Sequence, residues 1–348
     1  MRSFSLPILS LSLAALLTVS APAEQPGDLI RTFLRDVMGF SANDVAAVQA
    51  GRAVARQMKT REAVDVNIFG AVRLATSAEA FLSQLRDIDL LERRLGITQV
   101  GKFHDPPLAS DLDGLTLEKD DLDALEDCRP SNCDLQLPAE AMERLRSRVN
   151  WRADDARAQA MALFRQIAFE WLEAYRAGGS ASLGAYADHS PPISNASEFH
   201  LLIAPGDMPV DLPGLIHYLV HYPKSTLKDA TDFFYWNKGE FGMKPTTRLN
   251  HVVIYPLAGT GAPEPLRYVM ATKQLYANHY FSATLELRTI VDDPQAPGRG
   301  IYLLYTTKSR VSGLTGFIGT LIRSIVRSRA RSGMEQFLTL TRKAVEGR

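Results

Sequence analysis

The sequence predicts an α+β protein whose sheet is antiparallel and lies mostly in the last third of the chain. Four long extended runs, Phe233–Phe241, Arg248–Pro256, Leu266–Val291 and Gly300–Val311, are rich in Tyr and Thr. Turn chemistry separates them, with Pro263 and Pro265 before the third and Pro294 to Gly300 before the fourth. Phe281, Ala283, Leu285, Leu287 and Val291 alternate with Ser282, Thr284, Glu286 and Arg288, as in a strand with one buried face and one wet face. On that pattern Leu285→Asp should abolish folding, whereas Glu286→Leu should be tolerated. After the last run, Phe317 to Glu346 carries Leu321, Ile325, Met334, Phe337, Leu338 and Leu340, enough for a long helix to cover the sheet.

Composition agrees with a folded chain and narrows its partners. The 348 residues are 46% hydrophobic and 22% charged, which excludes disordered, collagen-like and coiled-coil classes. With 39 basic and 39 acidic residues the net charge is zero, unlike a chain built to bind nucleic acid.

The elements follow in order. Met1-Arg2, an apolar run from Leu6 to Val19 and the ending Ser20-Ala21-Pro22-Ala23 read as a secretory signal peptide, cleaved after Ala23. The expected product is exported and soluble, periplasmic or secreted, with 24–348 as one domain. Pro26 to Val48 reads as helical, Gly51 to Thr60 and Val64 to Ala75 as extended, and Ser77 as the cap of a helix reaching Leu91. Ile97 to Phe103 is a short strand ended by Pro106-Pro107.

Residues 105–195 form an acidic, helical insertion. Asp105 to Glu143 holds twelve acids against Lys119 and Arg129. Such a block reads as a solvated surface. Asp111-Leu-Asp113-Gly114 has its glycine too early for a calcium loop and lacks the closing Glu. Cys128 and Cys133, the only cysteines, flank turn residues and suit a disulfide in an exported chain. A zinc site would need two more ligands, and redox catalysis favours a shorter spacing. Two amphipathic helices cover Pro138 to Ala177. A further helix begins near Ser197 and another spans Leu212 to His221.

No motif names a reaction, a metal or a cofactor. His217 and His221 share a helical face but lack the intervening Glu of zinc proteases, so packing is the simpler reading. Ser225-Thr-Leu-Lys228 spells a nucleophile pattern whose companion motifs are missing. Gly313, Gly316 and Gly319 precede the last helix without the Lys-Ser/Thr of a nucleotide loop. They read either as a turn allowing close packing or as an apolar tip, Leu314 to Ile318, that gates a cavity or touches a membrane.

Lys308 to Arg348 carries nine basic residues against Glu335 and Glu346. Arg323 and Arg327, beside Leu314, Phe317 and Ile318, suit contact with anionic lipid. Alternatively this basic face docks on the acidic insertion. Trp236, Lys273, Tyr276, His279, Tyr280 and Arg310 set polar groups among aromatics, which is how small-molecule sites are built.

Strand, helix, antiparallel meander and one long C-terminal helix together resemble the START-like, or helix-grip, superfamily. The resemblance is carried by the meander Arg248–Val311, including Lys273–Phe281 and Ile301–Tyr305, and by the helix entered through Gly313–Gly319. It implies a curved antiparallel sheet wrapped around the C-terminal helix and an elongated, mostly apolar cavity between them. Members bind lipids and other hydrophobic molecules, and some are enzymes. The expectation is an exported binding protein for a lipid or hydrophobic small molecule, in possible peripheral contact with a membrane. The alternatives are an enzyme in the same cavity, with His279 as acid/base and Lys273 as its electrostatic partner, or a non-catalytic interaction module.

Overall fold

The computed structural model describes residues 26–94, 97–204, 212–240, 244–257, 265–312 and 316–347. The signal-peptide reading falls on residues 1–23, outside them. Two short helices come first, α1 (Pro26–Thr32), continued by a wider turn Phe33–Val37, and α2 (Ala42–Gln49). They are not one continuous helix. Gly39 sits at φ +69° between them, and Ser41 caps α2 in a reciprocal exchange with Asp44.

Edge strand β1 (Val54–Gln57) and the longer β2 (Asp65–Leu74) follow. Next come α3 (Ala78–Arg86), capped by Ser77, then α4 (Ile88–Arg94) and β3 (Gln99–Lys102). The chain then leaves the sheet for α5 (Lys119–Asp127), α6 (Ala139–Arg148) and α7 (Ala156–Gly178). A two-residue ribbon of β4 (Ala185–Tyr186) and β5 (Ile193–Ser194) precedes α8 (Asn195–Leu202) and α9 (Pro213–His221). The meander is β6 (Thr231–Gly239), β7 (Thr246–Pro256), β8 (Leu266–Ala277), β9 (Phe281–Asp292) and β10 (Ile301–Val311). α10 (Gly316–Glu346) ends the fold.

Among the described residues eight strands form one antiparallel sheet in the order β1-β2-β10-β9-β8-β7-β6-β3. Both of its faces are covered. On one, Ile68, Val72, Met270 and Leu303 pack under Phe81 and Leu85 of α3 and under Met334 and Leu338 of α10. On the other, Leu249, Leu275 and Tyr276 meet α6 and α7, while Val253, Ala271, Leu285 and Leu287 meet α8 and α9. Phe69, Ala71 and Leu304 complete that second face against α1 and α2.

This corrects the wet-face reading of β9. Thr284, Glu286 and Arg288 are as buried as the leucines between them, because they face the layer that holds α10. Strict alternation in a strand separates two faces chemically and says nothing about whether water reaches either one. It also separates the charged segments. The insertion helices α5–α7 and the basic helix α10 lie on opposite faces of the sheet, so they do not dock on one another. The insertion is tied to the sheet by its own contacts, among them Trp171 Nε1 donating to the Leu275 carbonyl at 2.9 Å, and the disulfide between Cys128 and Cys133 closes a short loop within it.

α10 crosses β2 at Gly70. A Cβ there would come 2.7 Å from Leu338 Cδ1 and 2.8 Å from Met334 Cγ, so the bare backbone is what allows the close approach.

Candidate functional site

Between α10 and the sheet lies a cleft of about 650 Å³. Its flanks are mixed, with Ile68, Phe281 and Val311 beside Thr307 and Ser309 on the sheet side and Val326, Ala330 and Phe337 beside Ser332 and Gln336 on the helix. Its floor carries charge. The pleat turns Arg248 of β7, Glu286 and Arg288 of β9 and Tyr305 of β10 to this face, and α4 adds Glu92.

The floor is a connected network. Arg288 donates through Nη2 to Glu286 Oε2 at 3.0 Å, and Arg248 donates through Nη1 to Glu286 Oε1 at 3.1 Å. The Tyr305 hydroxyl donates to Glu286 Oε2 at 2.7 Å. The Arg288 guanidinium lies 4.6 Å from the Tyr305 ring centre and 5.2 Å from that of Phe337, so an aromatic residue of α10 closes over it. Asn237 bridges outward, donating to Glu92 Oε2 at 3.0 Å and accepting from Arg248 Nε at 3.3 Å.

Two carboxylates share this floor and are shifted in opposite directions. Burial pushes Glu92 above the usual carboxyl range, against the pull of Arg288 and Arg248. Burial pushes Glu286 up too, but Arg288 and Arg248, helped by the Tyr305 and Arg248 hydrogen bonds, prevail and hold it below the usual range. Arg288 Nε and the Tyr235 hydroxyl are buried and find no partner among the described residues, so the network has donors to spare.

None of the six residues singled out as ligand-binding from the sequence lines this cleft. Lys273 is on the opposite face, donating to Ser180 Oγ at 2.7 Å and to the Leu219 carbonyl at 2.6 Å, above the Phe199 ring. Burial pulls its pKa down to about 7. Tyr276 packs with Trp171 and Phe164 of α7. Trp236 donates to the Asp111 carbonyl and stacks over Gly101. His279 turns one ring nitrogen to Asp121 Oδ2 at 3.0 Å and the other to the Asp134 carbonyl at 3.1 Å. Tyr280, at φ +61°, closes the β8–β9 turn, its carbonyl accepting from the Ser312 amide. Arg310 is consumed by Glu62, Asp65 and Glu198. Lys273 and His279 thus lie apart from the cleft in which an acid/base pair was expected.

No family model, no curated protein and no solved structure matches this chain. Its chemistry is therefore read from its own geometry.

Of the expected gate, Leu314 lies outside the described residues, as do the side chains of Phe317 and Ile318. Arg323 and Arg327 line a second, smaller hollow beside α10. His217 and His221 stack ring on ring at 4.1 Å on the exposed side of α9, and no group of three or more possible metal ligands occurs among the described residues. The floor residues Glu92, Arg248, Glu286, Arg288 and Tyr305 were missed. Their signal was present in Thr284, Glu286 and Arg288, whose spacing was assigned to solvent rather than to a covered face.

Proposed function

We propose that this chain binds a lipid or another largely hydrophobic molecule with a polar end, held in the cleft between the sheet and α10. The apolar body would lie against Phe281, Val326 and Ala330, and the polar end would meet the Arg288–Glu286–Arg248 floor. The observation that carries the reading is the cleft itself. Its volume of about 650 Å³ lies within the roughly 300–1,000 Å³ that small-molecule sites occupy, and its polar groups converge at one place.

A START-like, helix-grip frame is part of this proposal. It is supported by the element order, with β2, two helices and β3 preceding a five-stranded meander and one long helix. β2 and β3 also bracket that meander in the sheet. Export is proposed on the leader-like residues 1–23 and is supported by the disulfide, which oxidising compartments favour. No described helix is long and apolar enough to cross a membrane.

Gly333 provides the test. It borders the cleft, and a Cβ built on it meets nothing within 4 Å. Gly333→Phe should fill the cleft from the helix side while leaving the melting temperature intact. The wild type should bind the fluorescent fatty acid cis-parinarate and co-purify with a small molecule visible by native mass spectrometry. The variant should do neither. A wild type that is always empty, or a folded variant that binds the probe unchanged, refutes the proposal.

The opposed shifts of Glu92 and Glu286 favour one second reading, an enzyme in the same cleft with Glu92 as the proton donor, because carboxyls pushed apart in this way commonly divide acid and base roles. Glu92→Gln, isosteric and uncharged, would then retain the co-purified molecule but stop its turnover.

A further inference from the structure

α10 carries Arg323, Arg327 and Arg331 four residues apart, which sets the three guanidiniums in a row along one side of the helix. With Gln57 of β1 and Ser324 and Ser328 of the helix they line a hollow of about 440 Å³. Arg331 has a carboxylate, donating to Glu335 at 3.0 Å. Arg327 has none. It donates through Nη2 to Thr60 Oγ1 at 3.1 Å and to the Asp65 carbonyl at 2.9 Å, both uncharged acceptors, and its Nε is buried without a partner. Burial and then the neighbouring Arg323 charge hold Arg327 below the usual guanidinium range, against the pull of the Asp65 carboxylate.

Like charges at this spacing oppose helix formation unless something anionic offsets them. The hollow offers forked cationic donors together with a carboxamide and two hydroxyls, a set that suits the tetrahedral oxygens of a phosphate. We infer that the hollow lined by Gln57, Arg323, Arg327 and Arg331 is a phosphate-binding site. It adjoins the cleft, with which it shares Ser328, but does not rest on the function proposed there. The phosphate can belong to a soluble phosphomonoester or to an acidic lipid headgroup, since both present the same group.

Full-length protein would be titrated calorimetrically with glycerol 3-phosphate against a matched chloride background. In parallel it would be sedimented with phosphatidylcholine vesicles with and without phosphatidic acid. Binding of at least one of the two is expected. Glycerol 3-phosphate alone identifies a soluble ligand, and phosphatidic acid vesicles alone identify a membrane headgroup. Arg327→Gln with Arg331→Gln should weaken the binding at least tenfold, the scale of a lost charge-assisted contact. Because Arg327 also holds Thr60 and Asp65, Ser324→Asp is the second variant. It adds a negative charge at an exposed hollow-lining position and should weaken phosphate binding without lowering the melting temperature. If the wild type prefers neither phosphate source over its control, or both variants bind like the wild type, there is no phosphate site in this hollow.

Discussion

Arg288 and Glu286, two residues apart on one strand, form a buried ion pair at 3.0 Å, and a second guanidinium, that of Arg248, holds the other carboxylate oxygen. One anion thus bridges two cations taken out of water and offsets only one of their charges. Such pairs contribute little as a unit but are costly to break from one side.

Glu286→Leu should therefore destabilise the protein by about 3–5 kcal/mol, leaving Arg288 and Arg248 buried without their carboxylate. Glu286→Gln keeps the shape and should cost less. Urea denaturation would rank them, alongside Leu285→Asp on the opposite face, which should also fail to fold. Tolerance of Glu286→Leu would mean that the floor is solvated after all.

Gly70→Ala should cost about 1–3 kcal/mol, the usual range for overpacking. The added methyl runs into Leu338 and Met334. Leu338→Val in the same chain should recover part of the loss, and thermal melts of the single and double variants would show it.

Lys273 makes stability depend on pH in a definite direction. Its proton leaves the folded protein at about 7 and the unfolded chain near 10.5. Between those values the unfolded chain holds more protons, so stability rises with pH by at most about 1.4 kcal/mol per unit. Lys273→Met should flatten that rise, as measured by denaturation at successive pH values. Identical slopes in the two proteins would mean that Lys273 keeps its proton on folding.

His279→Ala should loosen the acidic insertion without unfolding the sheet. Asp121 is buried, and besides the His279 ring it accepts from Asn278 Nδ2 at 3.3 Å. Removing the ring takes one partner from a buried carboxylate and leaves it Asn278 and Lys244 Nζ at 3.8 Å, at a cost of about 1–3 kcal/mol. Limited proteolysis should then cut first within residues 105–148, while the meander stays protected. Unchanged cleavage would place the anchor elsewhere.

Breaking the disulfide by Cys128→Ala with Cys133→Ala should cost about 2 kcal/mol or less, because the closed loop is short. In the native protein neither sulfur should react with thiol reagents before reduction.

The meander was legible because period-two alternation over runs such as Phe281–Val291 has few alternative structures. The long last helix was legible from its apolar spacing, and the cysteine pair from its turn residues. What alternation cannot express is which neighbour covers each face. Arg288 and Glu286 look solvated in a list of residue types, and only the strands on either side, bringing Arg248 and Tyr305, make them a closed network. Lys273 and Tyr276 were misassigned for the matching reason. Aromatic and cationic neighbours in sequence alternate across a strand, and here they point into the core shared with α7 and α9.

The long excursion between β3 and β6 leaves and re-enters the sheet on adjacent strands. By connectivity it is one hairpin loop, and lengthening a loop costs only a logarithm of its size. By surface it is a large part of the interior, since among the described residues it is the segment that covers Leu249, Leu275, Leu285 and Leu287. Shortening it to a tight turn would leave a covalently sensible chain with an oily wall facing water. As this sequence stands, neither the strand-and-helix frame nor this segment can be truncated or transplanted without exposing the other.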